Sequence, residues 1–375
     1  MVSKIINPKL LHKNNKINIM FKLLLEGDKS RLRLAAELGL TPASISQITG
    51  KLIAQGLLSE GSSVQRNSTG RKEVLLHFEE SAYGAVGINI EKDKTHISLC
   101  TYNNVLEQKT FDTKKLLDNN LELLLREIRL LIASKPEKLT LLGIGVGISG
   151  KVDKDSGVSI DSYGILPLGF PLLARLKEGL NSRDICVINN VKAQARALIQ
   201  SKEDNFMFIK HSPGIGCALI TGGEAEEGYN NAAGEIGHTV AMPFGRLCAC
   251  GRRGCLETVA SDKAIEEAYF EKTGQKKEIG QIYSAYGSEE AATGVISALI
   301  ERLAIAIGNA AALYDPKLVI VTGGVFSQSG ITGDFYKKLK ELGYGRLEIK
   351  NIGNEKNIKA LAGARYILLE KLFKV

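Results

Sequence analysis

From Tyr83 onward the chain repeats one theme: short runs of aliphatic and β-branched residues alternating with amphipathic stretches of helical length. Ala85-Val-Gly-Ile-Asn-Ile and Thr95-His-Ile-Ser-Leu-Cys-Thr-Tyr predict successive strands, followed by a helix from Leu116 to Ser134 and the strand Thr140-Leu-Leu-Gly-Ile-Gly-Val-Gly-Ile. Ile185-Cys-Val-Ile-Asn-Asn and a helix from Ala193 to Gln200 continue the alternation. Asn205-Phe-Met-Phe-Ile-Lys, Gly216-Cys-Ala-Leu-Ile-Thr and Leu318-Val-Ile-Val-Thr predict later strands, with long helices at Gly294 to Tyr314 and Lys359 to Phe373. Strands apolar on both faces need cover on both sides, so this pattern points to α/β lobes with buried sheets. At 375 residues the chain has room for two or three domains. No low-complexity tract or short-period repeat interrupts it.

The first 80 residues follow a different pattern. Ile17-Asn-Ile-Met-Phe-Lys-Leu-Leu-Leu predicts an apolar-faced helix ending near Gly27. Ser30 is placed to cap a second helix that stops at Gly39, and Thr41-Pro42 supplies a cap and first-turn proline for a third that runs to Gly56. Two helices joined by a tight, glycine-containing turn form a helix-turn-helix, whose second helix enters the DNA major groove. Leu57-Leu-Ser-Glu and Glu73-Val-Leu-Leu-His-Phe then predict two strands flanking a polar loop, the winged variant. Ser44, Ser46 and Gln47 are placed to approach base edges, Lys51 to meet phosphate, and Arg66, Arg71 and Lys72 of the wing to follow the backbone or enter a minor groove. Charge agrees: residues 1–72 hold twelve Lys and Arg against four carboxylates, whereas the rest balances at 37 of each, so the whole net charge of +8 lies in this segment. A localised basic excess fits double-stranded DNA as partner. A three-helix protein-interaction module with a basic face is the alternative.

No stretch of about 18 uninterrupted apolar residues is present, and Met1-Val-Ser-Lys lacks the apolar core of a secretion signal. A cytoplasmic protein without a membrane partner is expected, and there thiols stay reduced. Cys100, Cys186 and Cys217 lie in apolar runs and are expected to be small buried hydrophobes. Cys248, Cys250 and Cys255 are different, since they form C-x-C-x4-C within eight residues. A Cys248–Cys250 disulfide would be strained. Three thiolates leave one vacancy in a tetrahedral zinc shell, and His238 stands ten residues upstream. Four protein ligands leave no open position, which makes the expected zinc structural. Gly251 and Gly254 let the backbone wrap an ion, and Arg252 and Arg253 offset its excess negative charge.

Gly228-Tyr-Asn-Asn-Ala-Ala-Gly-Glu-Ile-Gly-His238, the Cys-x-Cys-Gly-x-x-Gly-Cys-Leu-Glu element after it, and Asn-Ser-Thr-Gly-Arg-Lys in the wing together resemble the ROK family (repressor, open reading frame, kinase), specifically its repressors with a winged helix-turn-helix. The likeness spans nearly the whole chain. It implies an actin-like (ribonuclease H-like) two-lobed domain of the ATPase type, with residues 1–80 as the DNA-binding head, 81–200 as a first lobe completed by the helix 359–375, and 201–358 as a second lobe carrying the zinc site. It implies a sugar between the lobes, held by Asn189, Asn190, Glu235, His238 and Glu257. A homodimer or dimer of dimers on a two-fold operator is expected with it.

The resemblance leaves two functions open: a sugar-responsive repressor and an ATP-dependent sugar kinase. Kinases of the family carry Asp-x-Gly-Gly-Thr after the first strand, whereas this chain has Gly87-Ile-Asn-Ile-Glu-Lys-Asp-Lys-Thr95, with Asn89 at the acidic position and no paired glycines. Their catalytic base is the aspartate of Asn-Asp-Ala-Asn; the segment here is Asn189-Asn-Val-Lys192, and an amide cannot act as a general base. Both departures favour a non-catalytic sensor. Pro213-Gly-Ile-Gly-Cys and Thr322-Gly-Gly-Val keep the form of nucleotide loops, with glycines that tight turns also require. Lys192 is expected to point to solvent; turned inward, it would favour an anionic or phosphorylated sugar.

Overall fold

The computed structural model describes residues 8–64, 72–182, 184–201, 204–353 and 356–373. Three helices open the chain, at Pro8–Glu26, Arg31–Leu38 and Pro42–Ala54. Each boundary has a local cause. The Ser30 side chain accepts a hydrogen bond from the Arg33 amide, Gly39 ends the second helix in the left-handed conformation, and Thr41 caps the third by accepting from the Ser44 amide. Ile45, Ile48 and Leu52 recur at helical spacing and bury one face of the third helix. Strands Leu58–Val64 and Glu73–Phe78 pair antiparallel as the wing, and the two-residue strand Lys29–Ser30 adds a third member at the other edge.

Two five-stranded sheets follow. In the first, Tyr83–Ile90 pairs antiparallel with Lys94–Cys100, which pairs antiparallel with Val105–Asp112. On its other side Tyr83–Ile90 pairs parallel with Thr140–Ile148, and that strand with Ile185–Asn189. The second sheet repeats this order: Phe206–His211, Ile215–Thr221 and Glu224–Ala225 form the antiparallel meander, while Leu318–Gly323 and then Ile349–Asn351 add in parallel. The body is therefore one topology used twice, the two-lobed actin-like arrangement. Glu290–Tyr314 packs its buried face in the core of the second sheet. It is long and apolar enough to cross a membrane, yet Ile296, Leu299, Leu303 and Ile307 are spent on that core.

The helix Lys356–Leu368, continued by one π-helical turn at Leu369–Phe373, lies on the first sheet. The Ser98 hydroxyl donates to the Ala360 carbonyl at 2.6 Å, and Gly145 and Gly363 let strand and helix backbones meet, since a side chain at either would strike the other's carbonyl. Leu361, Ala364, Ile367 and Leu368 belong to one apolar cluster with Ala85 and Cys100 of the sheet and with Ile17, Met20, Leu34, Ile45 and Leu52 of the head. Tyr83 adds hydrogen bonds to the carbonyls of Gln55 and Gly56, at the end of the third helix. The apolar cluster is thus continuous from head to first lobe, with the densest packing lying within each.

Two local expectations are corrected. The predicted helix Leu116–Ser134 is broken: Thr113–Leu117 and Glu122–Ala133 are separated by Asn119, Asn120 and Leu121, all at positive φ. The helix expected from Ala193 begins earlier, at Asn190, because Asn189 caps it.

Candidate functional site

The third helix turns Ser46, Gln47, Gly50 and Lys51 outward on one exposed face. Ser44 is half-buried, and its hydroxyl lies 2.9 Å from that of Thr41, so it belongs to the cap as much as to the surface. Lys72 is exposed; Arg66 and Arg71 lie outside the described residues. Several of the head's carboxylates are paired within the head. Glu37 binds Arg33, Lys29 and Lys22, Glu60 binds Arg31, and Asp28 lies 2.8 Å from His77. These pairs gather the negative charge onto interior and lateral contacts and leave the outward face of the third helix free of it.

In the second lobe, Gly234-Glu-Ile-Gly-His238 and the loop 248–255 meet. A short antiparallel bridge joins Leu247 to Arg253, the Cys248 amide donates to the Arg252 carbonyl at 2.7 Å, and Gly254 lies so close to the Met242 carbonyl that a side chain there would collide. This fold-back brings one ligand atom each of His238, Cys248, Cys250 and Cys255 within 4.8 Å of one another. The observed separations are 3.5 Å from Cys248 Sγ to His238 Nδ1 and 3.6 Å from Cys250 Sγ to Cys255 Sγ. Zinc–sulfur bonds of about 2.3 Å in a tetrahedron require sulfur atoms about 3.8 Å apart, so the cluster has the dimensions to hold zinc. The cluster's burial and mixed His/thiol chemistry fit the same ion. His238 turns Nδ1 to the cluster and Nε2 toward Glu235 Oε2, 3.6 Å away. The carboxylate is thereby placed to orient the ring. The other three cysteines are free thiols: Cys100 and Cys217 are buried and Cys186 is partly so, and burial pushes the thiols of Cys100 and Cys186 up to about 11 and about 12.

Between the lobes lies a cavity of about 390 Å³, lined among others by Asn189, Asn190, Glu235, His238 and Glu257. Five residues spread over 69 positions are thus brought to one wall system. Asn189 is already committed: its Oδ1 accepts from the amides of Val191 and Lys192, and its Nδ2 donates to the Gly150 carbonyl. One N–H remains for a ligand. Asn190 is buried and donates to Ser149 Oγ at 3.2 Å. Burial raises the Glu257 carboxyl above its ordinary range, against the opposing pull of His238.

Two cleft residues escaped the sequence reading. Tyr163 crosses from the first lobe, donates its hydroxyl to Glu235 Oε2 at 3.1 Å and sets its ring edge-on to His238 at 5.0 Å. Asp161 holds it there by accepting from the Tyr163 amide, so only the turn was legible. Glu91, at the end of the first strand, accepts from Lys210 Nζ at 2.5 Å and from Lys359 Nζ at 2.9 Å. Burial alone would raise its carboxyl, but the two ammonium groups override that and bring it to about 2. Asn89, two residues earlier, is buried with neither side-chain atom hydrogen-bonded. Lys192 corrects an expectation: it does not point to solvent but is buried, with Nζ 2.5 Å from Glu227 Oε2. A buried lysine needs a counter-charge, and Glu227 provides it.

Known proteins resemble this chain in sequence and in fold. Residues 85–370 match the sequence model of the ROK family. A putative xylose repressor from Caldicellulosiruptor sp. (strain Rt8B.4) is 25% identical over 368 residues, covering 91% of this chain and 90% of that protein. The DNA-binding transcriptional dual regulator NagC of Escherichia coli (strain K12) is 28% identical over 323 residues, covering 80% and 77%. Among solved structures, a ROK family transcriptional regulator described as a homolog of the E. coli MLC protein superposes with a TM-score of 0.77 at 24% identity, covering 97% of this chain and 98% of that one. A ROK hexokinase from Thermus thermophilus, at 21% identity, superposes with a TM-score of 0.65 over 76% of this chain.

Proposed function

Because the chain belongs to the ROK family, we propose that it is a DNA-binding transcriptional regulator, a repressor of carbohydrate-metabolism genes, whose two-lobed body senses a sugar without phosphorylating it. The observation that carries this reading is the single apolar cluster running from Ile45 and Leu52 of the third helix to Leu361 and Leu368 of the C-terminal helix. A winged head whose apolar cluster runs on into a ligand-binding lobe has a physical route by which closure of the cleft moves the head. The putative xylose repressor covers 91% of this chain and the solved ROK transcriptional regulator 97%, shares that must take in part of the head.

In this reading Gln47 and Ser46 meet base edges, with Ser44 beside them, Lys51 meets phosphate, and Lys72 with Arg66 and Arg71 of the wing follows the backbone. The sugar lies against Glu235, Glu257, His238, Asn189 and Asn190, whose carboxylates accept hydrogen bonds from vicinal hydroxyls. Zinc is held by His238, Cys248, Cys250 and Cys255 and stabilises the loop that presents Glu235; its role is structural, since four protein ligands leave no place for substrate. Asn190 stands where a kinase needs a base, and as an amide it supports recognition in place of phosphoryl transfer. Self-association is supported by the outer side of Glu290–Tyr314, where Ile305 and Leu313 are exposed beside Val240 around an apolar hollow of about 570 Å³. A dimer would set two heads on a two-fold operator in the cytoplasm.

The test is direct. Full-length protein is incubated with ATP, Mg²⁺ and a panel of hexoses and pentoses, and separately screened for sugar-induced thermal shifts. A shift with at least one sugar and no phosphorylated product is expected. Turnover on the order of 1 s⁻¹, ordinary for an enzyme, would contradict the sensor reading.

A further inference from the structure

The cleft contains a charge arrangement that sugar recognition does not use. Glu91 follows the central strand of the first sheet, Lys210 sits on the central strand of the second, and Lys359 is on the C-terminal helix. One carboxylate therefore receives an ammonium from each side of the cleft, at 2.5 and 2.9 Å. Glu91 and Lys210 are only 6% and 8% exposed, so neither charge is hydrated in compensation. The Glu91 backbone is fixed as well: its amide donates to the Lys94 carbonyl and its carbonyl accepts from Thr113 Oγ1 at 2.7 Å. The carboxylate is thus held between the two lysines by the fold and did not swing there by chance.

Two cations on one carboxylate leave the triad itself with a net positive charge; the cavity beside it is lined by Lys92 and Lys263 and by the carboxylates Asp93, Glu235 and Glu257. A phosphate-type oxyanion, with more charge and more acceptor oxygens, would satisfy the two ammonium groups better than a single carboxylate. We infer that Lys210 and Lys359 form an oxyanion site shared by the two lobes, and that Glu91 is its built-in occupant, closing the cleft from within and excluding free phosphate-type ligands. Separating the lobes requires parting Lys210 from Glu91 inside a poorly hydrated space, so the occupant also acts as a latch. The latch reaches the head, because Lys359 shares its helix with Leu361, Ala364 and Leu368 of the head-spanning cluster. This inference does not rest on the sugar-sensor reading; its outcome is the same whether or not a sugar binds beside Glu235.

The experiment uses full-length protein. Glu91→Gly removes the occupant, and melting is followed against sodium phosphate and sodium pyrophosphate, with sodium chloride at matched ionic strength. The Glu91→Gly protein is expected to melt below wild type and to recover saturably with phosphate or pyrophosphate. Wild type and the Glu91→Gly/Lys210→Met double variant should follow chloride alone. Recovery by pyrophosphate only would show that the site takes diphosphate groups, as in nucleotides; recovery by both, that a single phosphate suffices; either supports the inference. A folded Glu91→Gly protein that responds to neither beyond chloride overturns it. Should Glu91→Gly not fold, Lys210→Met serves, because it leaves Glu91 neutralised by Lys359. Hydrogen exchange at residues 206–211 and 89–95 should rise on the order of tenfold in that variant, and not at 206–211 in Lys359→Met. Wild-type protection in a folded Lys210→Met protein overturns the latch.

Discussion

At the scale of single residues, function rests on groups whose partners are far away in sequence. Cys250 supplies one of four ligand atoms gathered within 4.8 Å, so Cys250→Ser should lose the roughly one zinc per chain that a closed four-ligand site holds. Elemental analysis together with a lowered melting temperature checks this; full zinc content in the variant would exclude Cys250 from the shell. Glu91 gives a pH signature. Its carboxyl is lowered from 4.5 to about 2 in the folded state, so its contribution to stability is complete above about 4.5 and is lost as pH falls toward 2. Glu91→Gln should therefore flatten the acid limb of stability in that window, measured by urea unfolding at stepped pH. The Cys/His cluster was legible because thiol spacing is itself chemistry. The partner of Lys192 was not, since Glu227 is 35 positions away and meets it only once the second sheet has formed. Tyr163 and Glu91 were hidden for the same reason: a turn and a strand end carry no mark of the opposite lobe.

At the scale of elements, the caps and breaks were mostly written locally. Ser30, Gly39, Thr41 and Pro42 each fixed a helix end in the head by a hydrogen bond or a backbone preference that needs no tertiary context. The break at Asn119–Leu121 was missed because the apolar spacing runs through it, and only the backbone reverses there. The repeated sheet order was also invisible, since the two halves share pairing topology without a shared sequence period. Packing of the C-terminal helix depends on glycine facing glycine. Gly363→Ala would press a methyl group onto the Gly145 carbonyl and displace the helix. We expect a loss of about 1–3 kcal/mol, the usual cost of overpacking, read from chemical denaturation, with DNA affinity falling alongside because the head shares that cluster. An unchanged midpoint would mean that the helix is free to shift. On the third helix, Gln47→Ala should relax sequence preference by about 1–3 kcal/mol at one position, while Lys51→Ala should weaken specific and nonspecific duplexes alike and reduce the salt slope by about 1. Anisotropy titrations over a salt series separate the two.

At the scale of the whole molecule, an apolar cluster runs on from the head into the body, and Tyr83 at the start of the body bonds back to the end of the third helix. A fragment of residues 1–80 would lose the body's share of the apolar cluster that runs through both and the Tyr83 hydrogen bonds to Gln55 and Gly56, so it should be less stable and bind DNA more weakly than the intact chain, by more than loss of a second head explains. Under the proposed function the same continuity would carry the signal: a sugar that favours one cleft geometry must, by reciprocity, be bound less tightly when DNA favours the other. The two-lobed fold and the winged head were legible in hydrophobic period and motif; the apolar continuity between them was not, because it is made of ordinary leucines and isoleucines. The most direct test selects duplexes bound by the full-length protein from a random pool, then titrates the enriched duplex with and without each sugar that shifts the melting temperature. The expected result is a two-fold symmetric sequence, bound with steep salt dependence, whose affinity falls with at least one sugar and returns when the sugar is removed. Failure to enrich any sequence at low salt, or an enriched duplex whose affinity no bound sugar alters, would contradict it.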